Sequence, residues 1–393
     1  MVRSTFGGAA PMSDDPRGRV ASLAFLVRFR ALVGACFAVL VICSACGGDP
    51  EAPSHPIGAV GARSMLWAVE MALDDGGVPV QAERRDELLL LEHTPVVSPA
   101  SDLAERMVRN PGILGVVGHS GSSGSIIASA IYNRREVVQI APTSTAPVYS
   151  RAGPFSFRLV PPDDVQGAFL AEVVNQRFSQ PRGRAAVLYV NDDYGRALRE
   201  AFVRELDPDR VEVVLQLPHL ERETSPFRPE SQVEAIQASR PDLLIWLGRP
   251  PELDLLLPLL REVMGDLAVL GGDALSRAET RSELHPAWEG VQFADFRVDD
   301  PDGRVEAFLH RYEARTGIRG GIPEALAYDA ASILLHAVQA GARNGDGVRR
   351  HLLRFGQDLP PFPGLTGPIQ FTPSGDVERS YELRMVRMPG EGR

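Results

Sequence analysis

Gly112-Ile-Leu-Gly-Val-Val-Gly-His-Ser-Gly-Ser-Ser-Gly-Ser-Ile-Ile-Ala-Ser-Ala-Ile-Tyr-Asn-Arg-Arg-Glu-Val-Val-Gln-Ile-Ala-Pro-Thr-Ser-Thr-Ala-Pro147 is the stretch on which the fold turns. An apolar run over 113–117 predicts a buried strand, and a Ser/Gly loop over 119–123 follows it. A helix over 124–135, a second strand over 137–140 and a second hydroxyl-rich loop over 143–145 complete the unit. In a parallel sheet of this rhythm both loops fall on one edge, at the carboxyl ends of the strands, where open α/β sheets bind ligands. That edge carries Ser120, Ser122, Thr143, Ser144 and Thr145. The first loop opens a helix, whose free N–H groups and positive dipole end suit a carboxylate or phosphate.

The same alternation runs outward from this unit in both directions. Helical spacing is expected over 62–74, 103–109 and from 163, and strands over 88–91, 157–160, 185–190, 211–215, 242–247, 267–270 and 290–296. Helices are expected over 229–239, 252–263, 305–316, 323–342 and 346–355. The tail reads as a hairpin of 368–372 with 378–388 about a Pro-Ser-Gly-Asp turn. The pattern predicts an α/β fold of two doubly wound, Rossmann-like lobes. Connections at Pro161-Pro162 and near Asp299 read as crossings between lobes. Lobe 1 is expected over 57–162 plus 298–364, and lobe 2 over 163–297 plus 365–393.

The 393 residues are 44% hydrophobic and 23% charged, a globular composition, and the net charge of −10 argues against a nucleic-acid partner. Every one of the 41 Lys+Arg residues is arginine, which excludes a P-loop or Schiff-base lysine. No His/Cys/carboxylate cluster has metal-ligand spacing and no phosphate-binding glycine fingerprint is present, so neither metal nor cofactor is expected.

Arginines at 17, 19, 28 and 30 precede an apolar run over 31–43 that is shorter than the ~20 residues of a membrane-spanning helix. With the small residues that follow, residues 1–45 read as a secretory signal. Ser44-Ala45-Cys46-Gly47-Gly48 is similar to a bacterial lipoprotein box, which places lipidation on Cys46 and makes 46–56 a Pro-rich tether. Cleavage there leaves one cysteine and no intramolecular disulfide.

Several other residues carry candidate chemistry. Gly118-His119-Ser120-Gly121-Ser122 departs from the nucleophile elbow G-x-S-x-G only at its last position, so a serine hydrolase is an alternative. Tyr194, Arg249 and Asp273 each follow the end of a predicted strand. Arg249 could favour an acidic ligand side chain or pair with Glu252.

Five blocks in order resemble the type I periplasmic solute-binding proteins, the leucine/isoleucine/valine-binding branch that serves ABC importers. They are Gly118-His119 with Ser122, Ala128-Ser129, Ile131-Tyr132 and Ala141-Pro-Thr-Ser-Thr145; Val187 to Tyr194-Gly195; Pro241-Asp242 to Gly248; Gly271-Gly272-Asp273; and Leu365-Thr366-Gly367 to Asp376. The resemblance implies a three-segment hinge and closure of two lobes about a small amino acid-like ligand. It implies that Ser122 and Thr145 hold a carboxylate, that the Thr143 carbonyl and Asp273 hold an ammonium, and that Tyr194 closes from the other lobe. It further implies ABC permease and ATPase partners, and a lipid-anchored place on the periplasmic side of the envelope. A sensor on the same fold, outside transport, is a second reading. Family members open with a strand, whereas 56–63 reads here as the loop after it. A strand is therefore expected either from 36–46 or through altered pairing of 88–91.

Overall fold

Val116 and Val117, adjacent on one strand, point into different halves of the core, and that alternation organises the whole molecule. The computed structural model describes residues 56–78, 90–92, 99–178, 182–222, 224–281 and 283–388. The signal, Cys46 and residues 46–55 of the tether lie outside them.

The first sheet is parallel, with strands β1 (Ile57–Gly61), β2 (Leu90–Glu92), β3 (Gly115–Gly118), β4 (Val138–Ala141) and β5 (Ser156–Arg158) in the order β2-β1-β3-β4-β5. On one face lie α1 (Arg63–Asp75), α9 (Ile322–Gln339) and α10 (Gly345–Leu352), meeting Ile57, Ala59 and Val117. On the other lie α2 (Ala100–Val108) and α3 (Ser122–Arg134), meeting Val60 and Val116.

The opening strand corrects the sequence reading. Residues 57–61, taken there as a loop, form β1 inside the sheet between β2 and β3, with Ile57 beside Gly115 and Ala59 beside Leu90. The segment is short and glycine-rich because its neighbours come close. A Cβ on Gly58 would stand 2.5 Å from Met107 Sδ, and one on Gly61 3.0 Å from Ser120 Oγ.

The second sheet contains β6 (Gly183–Val190), β7 (Val211–His219), β8 (Leu243–Leu247), β9 (Ala268–Gly271), β10 (Gln292–Phe296) and β13 (Tyr381–Met385), in the order β13-β10-β9-β8-β6-β7. All pairings are parallel except that of β13 with β10. Strand β8 is Leu-Leu-Ile-Trp-Leu and fully buried, the continuous apolar run of a strand covered on both faces. Removing each such side chain from water stabilises by roughly 1.5–3 kcal/mol. Helices α4 (Asp163–Arg177) and α5 (Asp193–Glu205) cover one face, and α6 (Pro229–Ser239) and α7 (Pro250–Met264) the other. The remaining helix, α8 (Arg304–Thr316), packs near α1 through Tyr312, whose hydroxyl donates to the Ser64 carbonyl.

The chain crosses between the sheets three times: from β5 to α4, from β10 to α8, and from the turn at Thr372–Asp376 to β13. The expected tail hairpin is a second correction. Strand β11 (Phe362–Gly364) pairs instead with β12 (Gly367–Ile369), β13 pairs with β10, and one bridge, Phe371 to Val377, remains of the predicted pairing. The alternation of 381–385 is satisfied by the open edge of β10. Among the described residues no helix is long and apolar enough to cross a membrane.

Candidate ligand-binding site

The carboxyl ends of the strands of both sheets converge on one cavity of about 330 Å³. Ala62 follows β1, Ser120 to Ser122 follow β3 and Thr143 follows β4; Tyr194, Glu221, Arg249 and Asp273 follow β6, β7, β8 and β9. Phe296 ends β10, Pro251 and Glu252 begin α7, and Pro323 begins α9. The opening stretch of the sequence analysis therefore does form one wall.

Gly121 allows that wall its turn. It has φ of 83°, in the left-handed region, and from there α3 starts at Ser122. Its first backbone bond runs from Ser125 N–H to the Gly121 carbonyl, leaving the preceding amides as donors at the cavity wall. The Ser120 hydroxyl accepts from Ala62 N–H (2.9 Å) and donates to Met65 Sδ (3.4 Å). The Ser122 hydroxyl accepts from Ala146 N–H (3.2 Å), tying the two loops together.

The second loop turns differently from the sequence expectation. Thr143 lines the cavity, whereas Ser144 and Thr145 are fully buried away from it. The Ser144 hydroxyl donates to Ser125 Oγ (2.7 Å), and its carbonyl accepts from Arg158 Nη1 (3.2 Å). The Thr145 carbonyl accepts from Asp163 N–H (2.8 Å), where the chain makes its first crossing. Both residues brace the loop; among the described residues neither lines the cavity.

Tyr194 and Asp273 are joined, the phenol donating to Asp273 Oδ1 at 2.9 Å. Asp273 N–H donates to Gln166 Oε1 (3.2 Å), Gln166 Nε2 to the Tyr381 hydroxyl (3.1 Å), and that hydroxyl to the Pro161 carbonyl (3.2 Å). The chain of bonds runs from the cavity to the first and third crossings. Burial pushes the Asp273 carboxyl above its ordinary value against the bonds that favour the ion. Burial, with Asp273 and Asp163 nearby, pushes the Tyr194 phenol well above its own. Gly272 permits the close approach, since a Cβ there would sit 2.6 Å from the Tyr194 oxygen.

Arg249 does not pair with Glu252. It forms ion pairs with Asp192 and Glu221, each at 2.7 Å, and its guanidinium lies 5.6 Å over the Tyr194 ring. Burial opposes its charge, but the two carboxylates hold its pKa above the ordinary value. Glu252 accepts instead from Arg222 N–H (2.8 Å). With two acidic partners, Arg249 is committed to its own lobe.

Sequence reasoning missed Glu221, Glu252 and Arg277, all of which line the cavity. Glu221 escaped because β7 continues to His219, beyond the residue where its alternation fades. Arg277 escaped because 273–278 shows no periodicity; it is a 3-10 turn.

Among the described residues no histidine lines this cavity. His119, adjacent to Ser120, is buried with its Nε2 on the Tyr132 hydroxyl (3.0 Å), and burial holds His219 down to about 4. The Ser120 hydroxyl is engaged by Ala62 and Met65, among the described residues no histidine stands beside it as a general base, and the hydrolase alternative loses its support. Among the described residues no group of three or more His, Cys, Asp or Glu could hold a metal ion.

A family model described as periplasmic binding protein matches residues 54–392. The leucine-, isoleucine-, valine-, threonine- and alanine-binding protein of Pseudomonas aeruginosa is 23% identical over 336 residues, 85% of this chain and 86% of that one. A leucine-binding protein from Thermotoga maritima superposes with a TM-score of 0.70 at 20% identity, over 84% of this chain and 95% of that one. A solute-binding protein of an ABC transporter from Rhodopseudomonas palustris, in complex with 3,4-dihydroxybenzoic acid, gives 0.70 at 13% identity, over 85% and 93%.

Proposed function

The chain belongs to the periplasmic binding protein family, and from that premise we propose that it is the extracytoplasmic substrate-binding component of an ABC importer, closing two lobes on a small amino acid. The observation that carries this reading is the cavity itself. One wall is the amino end of a helix beside serine hydroxyls, and the opposite wall is a carboxylate oriented by a tyrosine. An α-carboxylate suits the amides at the start of α3 with Ser122, where the positive dipole end favours an anion. An α-ammonium suits Asp273 and the Thr143 carbonyl. Neither half is built to break a bond, which supports binding rather than catalysis.

The lobes follow the three crossings, with lobe 1 running over 57–162 and resuming at 298, and lobe 2 beginning at 163. The last crossing falls later than 364. Gly375 and Asp376 still bond to Arg158 of the first sheet, so lobe 2 resumes close to Tyr381. The ligands named for the relatives are consistent with an amino acid, although two structural neighbours hold aromatic acids, 3,4-dihydroxybenzoic acid and benzoate. A thermal-shift screen of the purified protein against amino acids and aromatic carboxylates tests the reading. A ligand at 100 times its Kd should stabilise by about 2.7 kcal/mol, and stabilisation by aromatic acids alone would overturn the amino-acid assignment.

A lipid on Cys46 would hold the protein to the periplasmic side of the envelope, near permease and ATPase subunits. Cys46→Ala is expected to release it into the soluble fraction on cell fractionation; unchanged membrane retention would count against the anchor.

A further inference from the structure

Among the described residues two arginines line the cavity, and their circumstances differ. Arg249 has two carboxylates at 2.7 Å, Asp192 hydrogen-bonded to Nη2 and Glu221 in an ion pair with Nη1. Arg277 reaches from the second sheet toward the first, and its contacts there are weak. Its Nη1 stands 4.0 Å from Glu324 Oε1, and its Nη2 lies 3.8 Å from Met65 Sδ, a thioether that accepts poorly. Glu324 already receives the Gly321 N–H on Oε2 at 2.8 Å, as the cap of α9. A guanidinium carries five N–H donors in a fixed fork, and here that fork has a distant ion pair and a sulfur. The side chain is 40% exposed, so solvent serves its remaining donors when the cleft is open.

Besides Ser120, Ser276 and Asp273, the cavity lining includes the small or apolar residues Ala62, Ala274, Phe296 and Pro323. The two acids that pair with Arg249, Asp192 and Glu221, follow β6 and β7, two and three strand spacings from the β9 end that leads to Arg277, or about 10 and 14 Å. A ligand with a purely aliphatic side chain would displace the water around Arg277 and return no hydrogen bond, which leaves a charge desolvated and poorly paired. A side-chain carboxylate or amide carbonyl would take the fork directly, in a charge-assisted contact.

We propose that Arg277 is the specificity-determining residue of the cleft, and that the ligand is an amino acid whose side chain ends in an oxygen acceptor, a carboxylate or a carboxamide. This rests on the amino-acid reading above and narrows it. The α-groups occupy the α3 start and Asp273, and the side chain extends to Arg277. The preference is then for the glutamate and glutamine kind over the leucine kind, in a cavity of a size that suits either.

The test is titration calorimetry of the purified full-length protein with glutamate, glutamine, alanine and leucine, repeated on Arg277→Ala and Arg277→Lys. The wild type is expected to bind glutamate or glutamine at least about tenfold more tightly than leucine. A glutamate preference identifies the carboxylate as the acceptor, and a glutamine preference the amide. In Arg277→Ala the ratio of glutamate or glutamine affinity to alanine affinity should collapse by about tenfold, with Arg277→Lys intermediate because it keeps a charge without the fork. Leucine binding more tightly than both polar ligands, or a ratio unchanged by Arg277→Ala, overturns the proposal while leaving an amino-acid-binding protein. Failure of the wild type to bind any of the four overturns both readings. Melting curves of each variant separate loss of the contact from loss of the fold.

Discussion

Asp273 is held on three sides: the Tyr194 phenol on its carboxylate, Gln166 on its amide, and Gly272 giving both room. A charge-assisted bond from a ligand ammonium to this carboxylate contributes roughly 1.5–3 kcal/mol. Asp273→Asn should therefore weaken an amino-acid ligand by about ten- to a hundredfold in calorimetry, and affinity equal to wild type would sink the ammonium site. Another carboxyl nearby offers a test of a different kind. Asp295 on β10 is pushed up to about 7, because burial outweighs the Arg384 guanidinium at 3.1 Å and Asp273 and Glu279 add to the rise. The folded state therefore keeps a proton on Asp295 that the unfolded chain, with an ordinary value of 3.8, gives up. This contribution destabilises the fold progressively as pH rises from about 4 to about 7 and is constant above that. At about 1.4 kcal/mol per unit, the gap between Asp295→Asn and wild type in chemical denaturation should move in favour of the variant by a few kcal/mol at most across that window. A gap that does not change with pH would show that Asp295 is ionised throughout.

Helix α5 depends on one residue for two purposes. Asp192 caps it, Oδ1 accepting from Gly195 N–H at 2.9 Å, while Oδ2 takes Arg249 at 2.7 Å. Asp192→Ala removes both, and a lost cap alone costs about 1 kcal/mol. Asp192→Asn keeps the cap and loses the charge. Thermal melts should rank wild type, Asn, then Ala, and ligand affinity should fall in both variants because Arg249 lies over the Tyr194 ring. Elements of this kind, with a cap, a face and a length, were readable from sequence; the helix over 229–239 was located to the residue. Strand β1 was not, because Gly58 and Gly61 read as loop residues until their packing against Met107 and Ser120 is seen. The loop at 143–145 was read as three hydroxyls facing a ligand. Sequence shows which groups can donate a bond, but the direction of Ser144 and Thr145 is set by Arg158 and Asp163, which approach from later in the chain.

Across the molecule, the bonded path from Asp273 through Gln166 and Tyr381 to the Pro161 carbonyl joins the cavity to two of the three crossings. Closure by hinge motion about those crossings should appear in small-angle scattering as a smaller radius of gyration on adding the ligand that the thermal screen identifies. Gln166→Leu should weaken the ligand, since it removes a bond to Asp273 N–H. An identical scattering profile with and without saturating ligand would argue for a rigid cleft.

The interleaved path of the chain also bears on how the molecule is made. The apolar face of β1, β3 and β4 is complete by residue 141, yet its cover, α9, ends at Gln339, and the edge of β10 waits for Tyr381. A chain synthesised from its amino end therefore holds a sheet with one face covered by α1 alone through the whole of the second lobe. Such long-range closure slows folding and favours self-association meanwhile. A fragment ending at the first crossing would keep five strands and α1 but lose α9 and α10 from that face, so the two lobes are partners in assembly as well as in grasping a ligand.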